Sequence, residues 1–344
     1  MSHITDQNAS PVTVDQLPEL LSAYSLPETD HFCQTRQRAR ELFPEIPLPH
    51  AKMEDWRHFN IGAVLNGRYS PVFGSCGGQS DRPTTENLLS AEDTAAELFF
   101  LNGAYRPDWS RERTVQGVYA GSLARAAADP ATSGSVRELL GSVLDLRDPF
   151  VCLNTVFLAD GAFVQAGRGV ACAEPVHLVF VHTHPEGTVT FPRLLVHVGE
   201  QASLRLVITH VFADNGESAW DNMAGELILE QGARLELEET AGLLGAPRRF
   251  LSLMGARLNR DSSLNWRVFT LDGELVRRDC RALLDAPGAE ARVEGLFINS
   301  GKNMMDHPVR IHHRAPHGIS RITFKGVALD ESRSVYTGKV LVER

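Results

Sequence analysis

Histidine and cysteine are the side chains here best suited to chemistry, and their spacing comes first. Of thirteen histidines, several are grouped. On a strand His182 and His184 would face the same way, because side chains alternate between faces, with Glu186 and His197 following closely. Imidazoles with a nearby carboxylate are donors for a divalent metal. Against this, Glu186 lies only two residues after His184 and Pro185 interrupts the strand. Histidines on an exposed strand or its turn are the plainer reading. A later group, Asp306, His307, His312, His313 and His317, follows Cys280 by about one repeat unit. Imidazole and thiolate suit iron or a nascent iron–sulfur cluster. Cys280, His307 and His313 are therefore the candidate metal ligands, expected within a few ångströms of one another. A scatter of surface histidines is the competing reading.

Other chemistries find little support. No Gly-x-Ser-x-Gly elbow occurs, and no Gly-x-Gly-x-x-Gly follows a strand. The stretch Gly295 to Asn303 ends in Gly301-Lys302, but five residues separate its glycines where a P-loop has four, and Asn303 stands where Ser or Thr would ligate magnesium. A turn between strands is expected there, and no ATPase. The five cysteines (Cys33, Cys76, Cys152, Cys172, Cys280) include no Cys-x-x-Cys pair, which argues against a disulfide framework or a structural zinc knuckle. A formal charge of −9 argues against a general nucleic-acid binder. The polar start, Met1 to Gln16, does not read as a signal peptide, and no apolar run approaches the ~20 residues of a membrane span. A soluble, cytoplasmic protein is expected, without membrane or nucleic-acid partners.

The elements that must position these residues fall into two regions. Residues 1–147 read as helical and loop-rich. Helical spacing marks Val14 to Tyr24, His31 to Phe43 and Val136 to Leu146, with a short strand at Leu98 to Leu101 turning at Asn102-Gly103. Tyr69 to Glu86 has the Gly, Ser and Pro content of a surface loop. The run Lys52-Met53-Glu54-Asp55-Trp56-Arg57-His58-Phe59 is either a binding motif or an aromatic anchor for the N-terminal segment. Residues 148–344 change to short β runs carrying an internal repeat. A small-x-apolar-x-apolar pattern occurs at Ala202/Leu204/Leu206, Ala233/Leu235/Leu237 and Ser262/Leu264/Trp266, then more weakly at Ala289/Ala291/Val293 and Gly318/Ser320/Ile322. The intervals are 31, 29, 27 and 29 residues. Two short strands per period, with hardly a helix between them, predict a stacked β-solenoid, since one such unit cannot bury both faces alone. An evenly spaced β-sandwich is the alternative.

Two stretches resemble the SufB/SufD family, whose members help assemble iron–sulfur clusters. The first runs Phe150-Val-Cys-Leu153-Asn154-Thr-Val-Phe157-Leu-Ala-Asp160-Gly161 and continues to Pro175-Val-His-Leu-Val-Phe180. The second is Asp306-His307-Pro-Val-Arg-Ile-His-His313-Arg-Ala-Pro316-His-Gly318-Ile-Ser320, running on through Phe324-Lys325-Gly326-Val327 to Tyr336-Thr337-Gly338-Lys339. Lys52, Glu54 and Trp56 match the family's short Lys-x-Glu-x-Trp signature. The helical start is more similar to SufD than to SufB. The resemblance implies a mainly β protein, a right-handed parallel β-helix core behind an α-helical or irregular N-terminal region. It implies a non-enzymatic scaffold that works with a SufB-like subunit and a SufC-like ABC ATPase. A transient Fe–S cluster or iron at the level of the complex, and association with FAD, are implied by resemblance only. The family's usual C-terminal helical domain, with its Cys-x-His-Gly segment and ATPase-docking surface, has no counterpart up to Arg344, so a truncated core is expected. The rival expectation is a cupin-like, metal-dependent enzyme using His182, His184 and His197.

Overall fold

The structure, a computed structural model, describes residues 11–23, 31–74, 82, 94–112, 115–183, 185–213, 219–245 and 249–343. Among the described residues strands take 47% against 16% for helices, and the C-terminal part is a β-solenoid of about six turns. Successive strands alternate between two sheets. One sheet runs Ala162–Ala166, Arg193–Val198, Trp220–Leu229, Arg249–Leu258, Leu275–Leu284, Met304–His313 and Arg333–Val342. The facing sheet runs Ala96–Leu101, Val176–His182, Ser203–Phe212, Arg234–Leu244, Ser263–Thr270, Glu290–Asn299 and Ile319–Ala328. Neighbours along both runs pair in parallel, each coil stacked on the one before.

The sequence repeat is the register of this stack. Leu204 opposes Leu235, Leu235 opposes Leu264, Leu264 opposes Ala291, and Ala291 opposes Ser320. The same rows hold Leu206, Leu237, Trp266, Val293 and Ile322. Identical spacing therefore places apolar residues in columns that line the interior, where period-two alternation points them inward. Just before each small residue the chain turns with positive φ, at Gln201 (57°), Gly232 (67°), Asp261 (54°), Gly288 (77°) and His317 (62°). Two of these are glycine, which adopts that conformation without a Cβ penalty.

The first region is less purely helical than expected. Ala96–Leu101 is fully buried and pairs in parallel with Val176–His182, and Val118–Ser122 pairs antiparallel with Ala162–Ala166. The stack thus begins well before residue 148. The segment at 150–161, in contrast, opens as the helix Pro149–Val156. Asp148 caps it by accepting from the amides of Phe150 and Val151, and Pro149 occupies the first turn, where its missing N–H costs nothing. The helix expected over Val136 to Leu146 is Ser133–Leu139, ending before Gly141 at φ 78°. Val14–Ala23 is a 3₁₀ helix and Cys33–Leu42 an α-helix. Most of the loop expected at Tyr69 to Glu86, together with Cys76 and His184, lies outside the described residues. No helix among the described residues is long and apolar enough to cross a membrane.

Candidate functional site

Inward-facing positions near the ends of several strands depart from the apolar rule. In the facing sheet Leu204, Leu206, Ile208, His210 and Phe212 share one parity, as do Leu235, Leu237, Glu239 and Ala241. In the first sheet Asp221, Arg278, Cys280 and His307 also face the interior. All six are buried. They meet His182 in a chain of contacts that crosses coils. His182 Nδ1 lies 2.8 Å from Asp221 Oδ1, which also accepts from the Thr190 hydroxyl. His182 Nε2 lies 3.1 Å from His210 Nδ1, and His210 Nε2 lies 3.2 Å from Glu239 Oε1. Glu239 pairs with Arg278 at 2.5 Å, and the Arg278 guanidinium donates to the Phe269 carbonyl. Phe180, Phe212 and Phe250 pack around the two rings.

Burial and charge set the protonation of this interior. Burial would raise the Glu239 carboxyl, but Arg278 and His210 outweigh it and hold it down at about 2. Burial pushes His210 down to about 4, against the pull of Glu239. His307 falls to about 3 for the same reason, with the Arg278 charge adding to the effect. Its Nε2 meets Thr270 Oγ1 at 3.0 Å, and its ring stacks on Phe297 at 4.9 Å. Burial drives the Cys280 thiol well above its ordinary value, with Glu239 adding to the rise, so it stays protonated near neutrality.

The candidate ligands do not converge. His307 and Cys280 share the interior, but His313 lies six residues further along the same strand, ~20 Å away at 3.3 Å per residue. There it meets Ser320 Oγ at 2.8 Å. His312 pairs with Glu343 at 2.7 Å, and His317 is a turn residue. Among the described residues no three His, Cys, Asp or Glu side chains form a group able to hold a metal ion. The rival histidine set is separated too. His182 faces the interior, whereas His197 lies on the outer face beside a cleft of about 330 Å³, meeting Gln165 at 3.0 Å and Glu230 at 3.4 Å. Gly301 turns the chain after Glu290–Asn299, as expected of a strand connection rather than a P-loop.

Trp56 is the aromatic anchor. Its ring packs on Phe150 (5.5 Å) and Phe59 (6.0 Å), and the Arg277 guanidinium sits 4.0 Å over it. Beside it Arg277 pairs with Asp306, whose carboxyl burial nevertheless raises to about 6. Glu54 and Asp55 reach Lys339 at 3.2 and 2.8 Å, and Asp55 also pairs with Arg310. Glu54, Asp55 and Trp56 therefore tie the N-terminal arm to the last coils. The interior chain is not evident in the sequence because its members differ in type; their parity with apolar neighbours, and the steps of 28 and 29 residues from His182 to His210 to Glu239, are the signals that mark them.

Comparison with known proteins follows this architecture. Residues 19–178 match the SufBD protein N-terminal region, and residues 180–344 match the SufBD core domain of SUF-system FeS cluster assembly. An iron–sulfur cluster assembly SufBD family protein of Synechocystis sp. is 23% identical over 317 residues, covering 89% of this chain and 68% of that protein. SufBD family proteins of Mycobacterium leprae and Mycobacterium tuberculosis are each 26% identical, over 191 and 187 residues. Each match covers 52% of this chain, and the chain spans under half of those relatives' length, 46% and 45%.

Proposed function

The chain belongs to the SufBD family of iron–sulfur cluster assembly proteins, and on that premise we propose that it is a non-catalytic scaffold subunit in the cytoplasm. It would act beside a SufB-like subunit and a SufC-like ABC ATPase, with the cluster as cargo held by the complex. Any FAD association would likewise belong to the complex. The observation that carries this reading is the stack of parallel coils matched by the SufBD core domain, tied to the N-terminal arm through Glu54, Asp55 and Trp56. A stack of repeats presents an extended surface on which partner proteins can bind. The protonated Cys280 and the dispersed histidines support a structural rather than a catalytic use of this core.

The test is co-expression with SufB-like and ABC ATPase subunits, followed by size-exclusion chromatography of the chain alone and with both partners. Co-elution with both partners supports the scaffold. A wild-type chain that stays a monodisperse monomer with both partners present overturns it.

A further inference from the structure

The front end is fastened to the coils in two ways. The loop at 141–144 is held by its backbone, whose amides donate to the buried Glu226. The arm at 52–59 is held by side chains. Its backbone hydrogen bonds run from the amides of Met53, Trp56 and Phe59 to the carbonyls of His50, Met53 and Trp56, and among the described residues none reaches a coil. Lys339 donates to Glu54 and Asp55, and Arg310 pairs with Asp55. These groups stay open to water, the Glu54 side chain at 73% exposure and those of Asp55 and Lys339 at 43%. A void of about 60 Å³ remains between Glu54, Asp55 and Arg57 on the arm and Pro308, Thr337 and Lys339 on the coils. A permanent joint would be close-packed; this one is not.

We propose that Arg310 and Lys339, with the slot for a ring between Phe150 and Arg277, form a docking groove for an acidic, aromatic segment of another protein, and that the arm is its resident occupant, displaced when that segment binds.

The chemistry of the groove is read from what fills it. Two successive carboxylates lie over two cations that oppose one another on adjacent strands. The indole that follows lies 5.5 Å from the Phe150 ring, with the Arg277 guanidinium 4.0 Å above it. A replacing segment therefore needs adjacent carboxylates followed by an aromatic ring. The acids of the coils are already committed, Asp306 to Arg277 and Asp279 to Arg281 and Arg310. Among the described residues Lys339 is met by acids of the arm alone. Opposed cations disfavour strand pairing, so exchange of one acidic segment for another is favoured over an empty groove. Exposed ion pairs are individually weak, which keeps the exchange cheap. The arm's advantage is its tether, which gives it a high effective concentration and hides the groove from a free segment.

The test is fluorescence anisotropy with a labelled peptide of residues 50–61 as the probe, on the full chain and on Glu54→Lys/Asp55→Lys/Trp56→Ala, whose own arm no longer fits the groove. The variant should bind the probe at least about tenfold more tightly than the wild type does. A probe carrying either Glu54→Lys/Asp55→Lys or Trp56→Ala should bind the variant at least about tenfold more weakly. A variant that binds the probe no more tightly than the wild type overturns the proposal, as does an altered probe bound as well as the original. Deuterium exchange on the wild type checks displacement without any variant. Excess ¹³C-labelled probe should speed exchange at the chain's Trp56 and Phe59 amides and leave those of Gly141, Val143 and Leu144 unchanged. Arm amides that keep their rate in excess probe overturn the displacement. The groove is independent of the scaffold reading, since no other subunit enters the test.

Discussion

Replacing Glu226 with glutamine isolates the contact that fastens the helical front onto the solenoid. Glu226 is fully buried on the outward side of Trp220–Leu229, and its Oε1 pairs with Arg193 at 2.5 Å. Its two oxygens also accept from the amides of Gly141 (2.8 Å), Val143 (2.9 Å) and Leu144 (3.4 Å). Arg193 reaches on to Asn154 Oδ1, inside the helix Pro149–Val156. Glutamine keeps the size but offers one acceptor oxygen and no charge. Arg193, 1% exposed, would be left as an uncompensated buried cation, a change that costs about 3–5 kcal/mol. An orphaned loop amide would add about 1–3 kcal/mol if no water reaches it. At ~1.4 kcal/mol per decade, the 141–144 amides should exchange at least ~100-fold faster in deuterium exchange. Urea unfolding should show a matching drop in midpoint. The double variant Arg193→Met/Glu226→Leu removes both charges, and replacing a buried pair with apolar residues is often close to neutral. It should therefore be more stable than Glu226→Gln alone, a non-additive result expected of residues in contact. A loss below about 1 kcal/mol in Glu226→Gln would show that the pair is dispensable. So would a double variant no more stable than the single one.

Two further outcomes follow from other contacts. Trp56→Ala removes the ring between Phe150, Phe59 and Arg277. Truncating a packed aromatic costs roughly 3–5 kcal/mol when fully buried, and Trp56 is only partly so. A loss of ~2–3 kcal/mol is expected, with limited proteolysis cutting first in the N-terminal arm; an unchanged cleavage pattern would contradict an anchoring role. His307 sits at about 3 when folded against an ordinary value near 6.5, because burial disfavours the imidazolium. The unfolded chain then binds more protons between those values, so stability is complete above pH 6.5 and falls as pH drops toward 3, by ~1.4 kcal/mol per pH unit from this group. His307→Phe fills the space beside Phe297 and Phe324 and should flatten that acid slope by about one proton in urea titrations from pH 7 to 4. An unaltered slope would count against a buried neutral His307.

The solenoid was legible because stacking repeats the same demand in every coil. A column such as Leu206–Leu237–Trp266–Val293–Ile322 needs an apolar side chain at each level, and that demand recurs at the interval of the coil. The resemblance agreed with it, and both placed the helices at the front. The buried polar chain was harder, because each member occurs once. His182 and Asp221 are 39 residues apart and come from different sheets, and although His182, His210 and Glu239 follow one another at 28 and 29 residues, the residue type changes from His to Glu along the series. The histidine clusters misled for a related reason. His307 and His313 are close in sequence, but an extended strand carries them to opposite ends of a layer. His182 and His197 differ in face, which sequence distance alone does not reveal. Leu98 to Leu101 reads as a strand, yet nothing local shows that the observed strand Ala96–Leu101 pairs in parallel with Val176–His182, a partner some eighty residues away.

One outward column explains why the front end docks where it does. In register it reads Leu195, Glu226, Gly255, Arg281, Arg310, Lys339. Glu226 receives the 141–144 amides. Gly255 leaves room for that loop, since a Cβ there would lie 2.7 Å from Leu144 Cδ2. The last three members are cations on adjacent strands, which lie ~4.8 Å apart, and like charges so opposed disfavour pairing. Each is met by acids from elsewhere. Arg281 pairs with Asp279 (2.9 Å) and with Asp148, the cap of Pro149–Val156 (3.1 Å). Arg310 pairs with Asp279 and with Asp55 (3.0 Å), and Lys339 pairs with Asp55 and Glu54. Individually the exposed pairs of Lys339 contribute little. The order of the cations along the column matters more, because an acidic arm placed three coils earlier would meet Glu226 and Gly255 instead of a pair of cations. The column thus selects where the arm lies, while Trp56 and Arg277 supply the packing that holds it there.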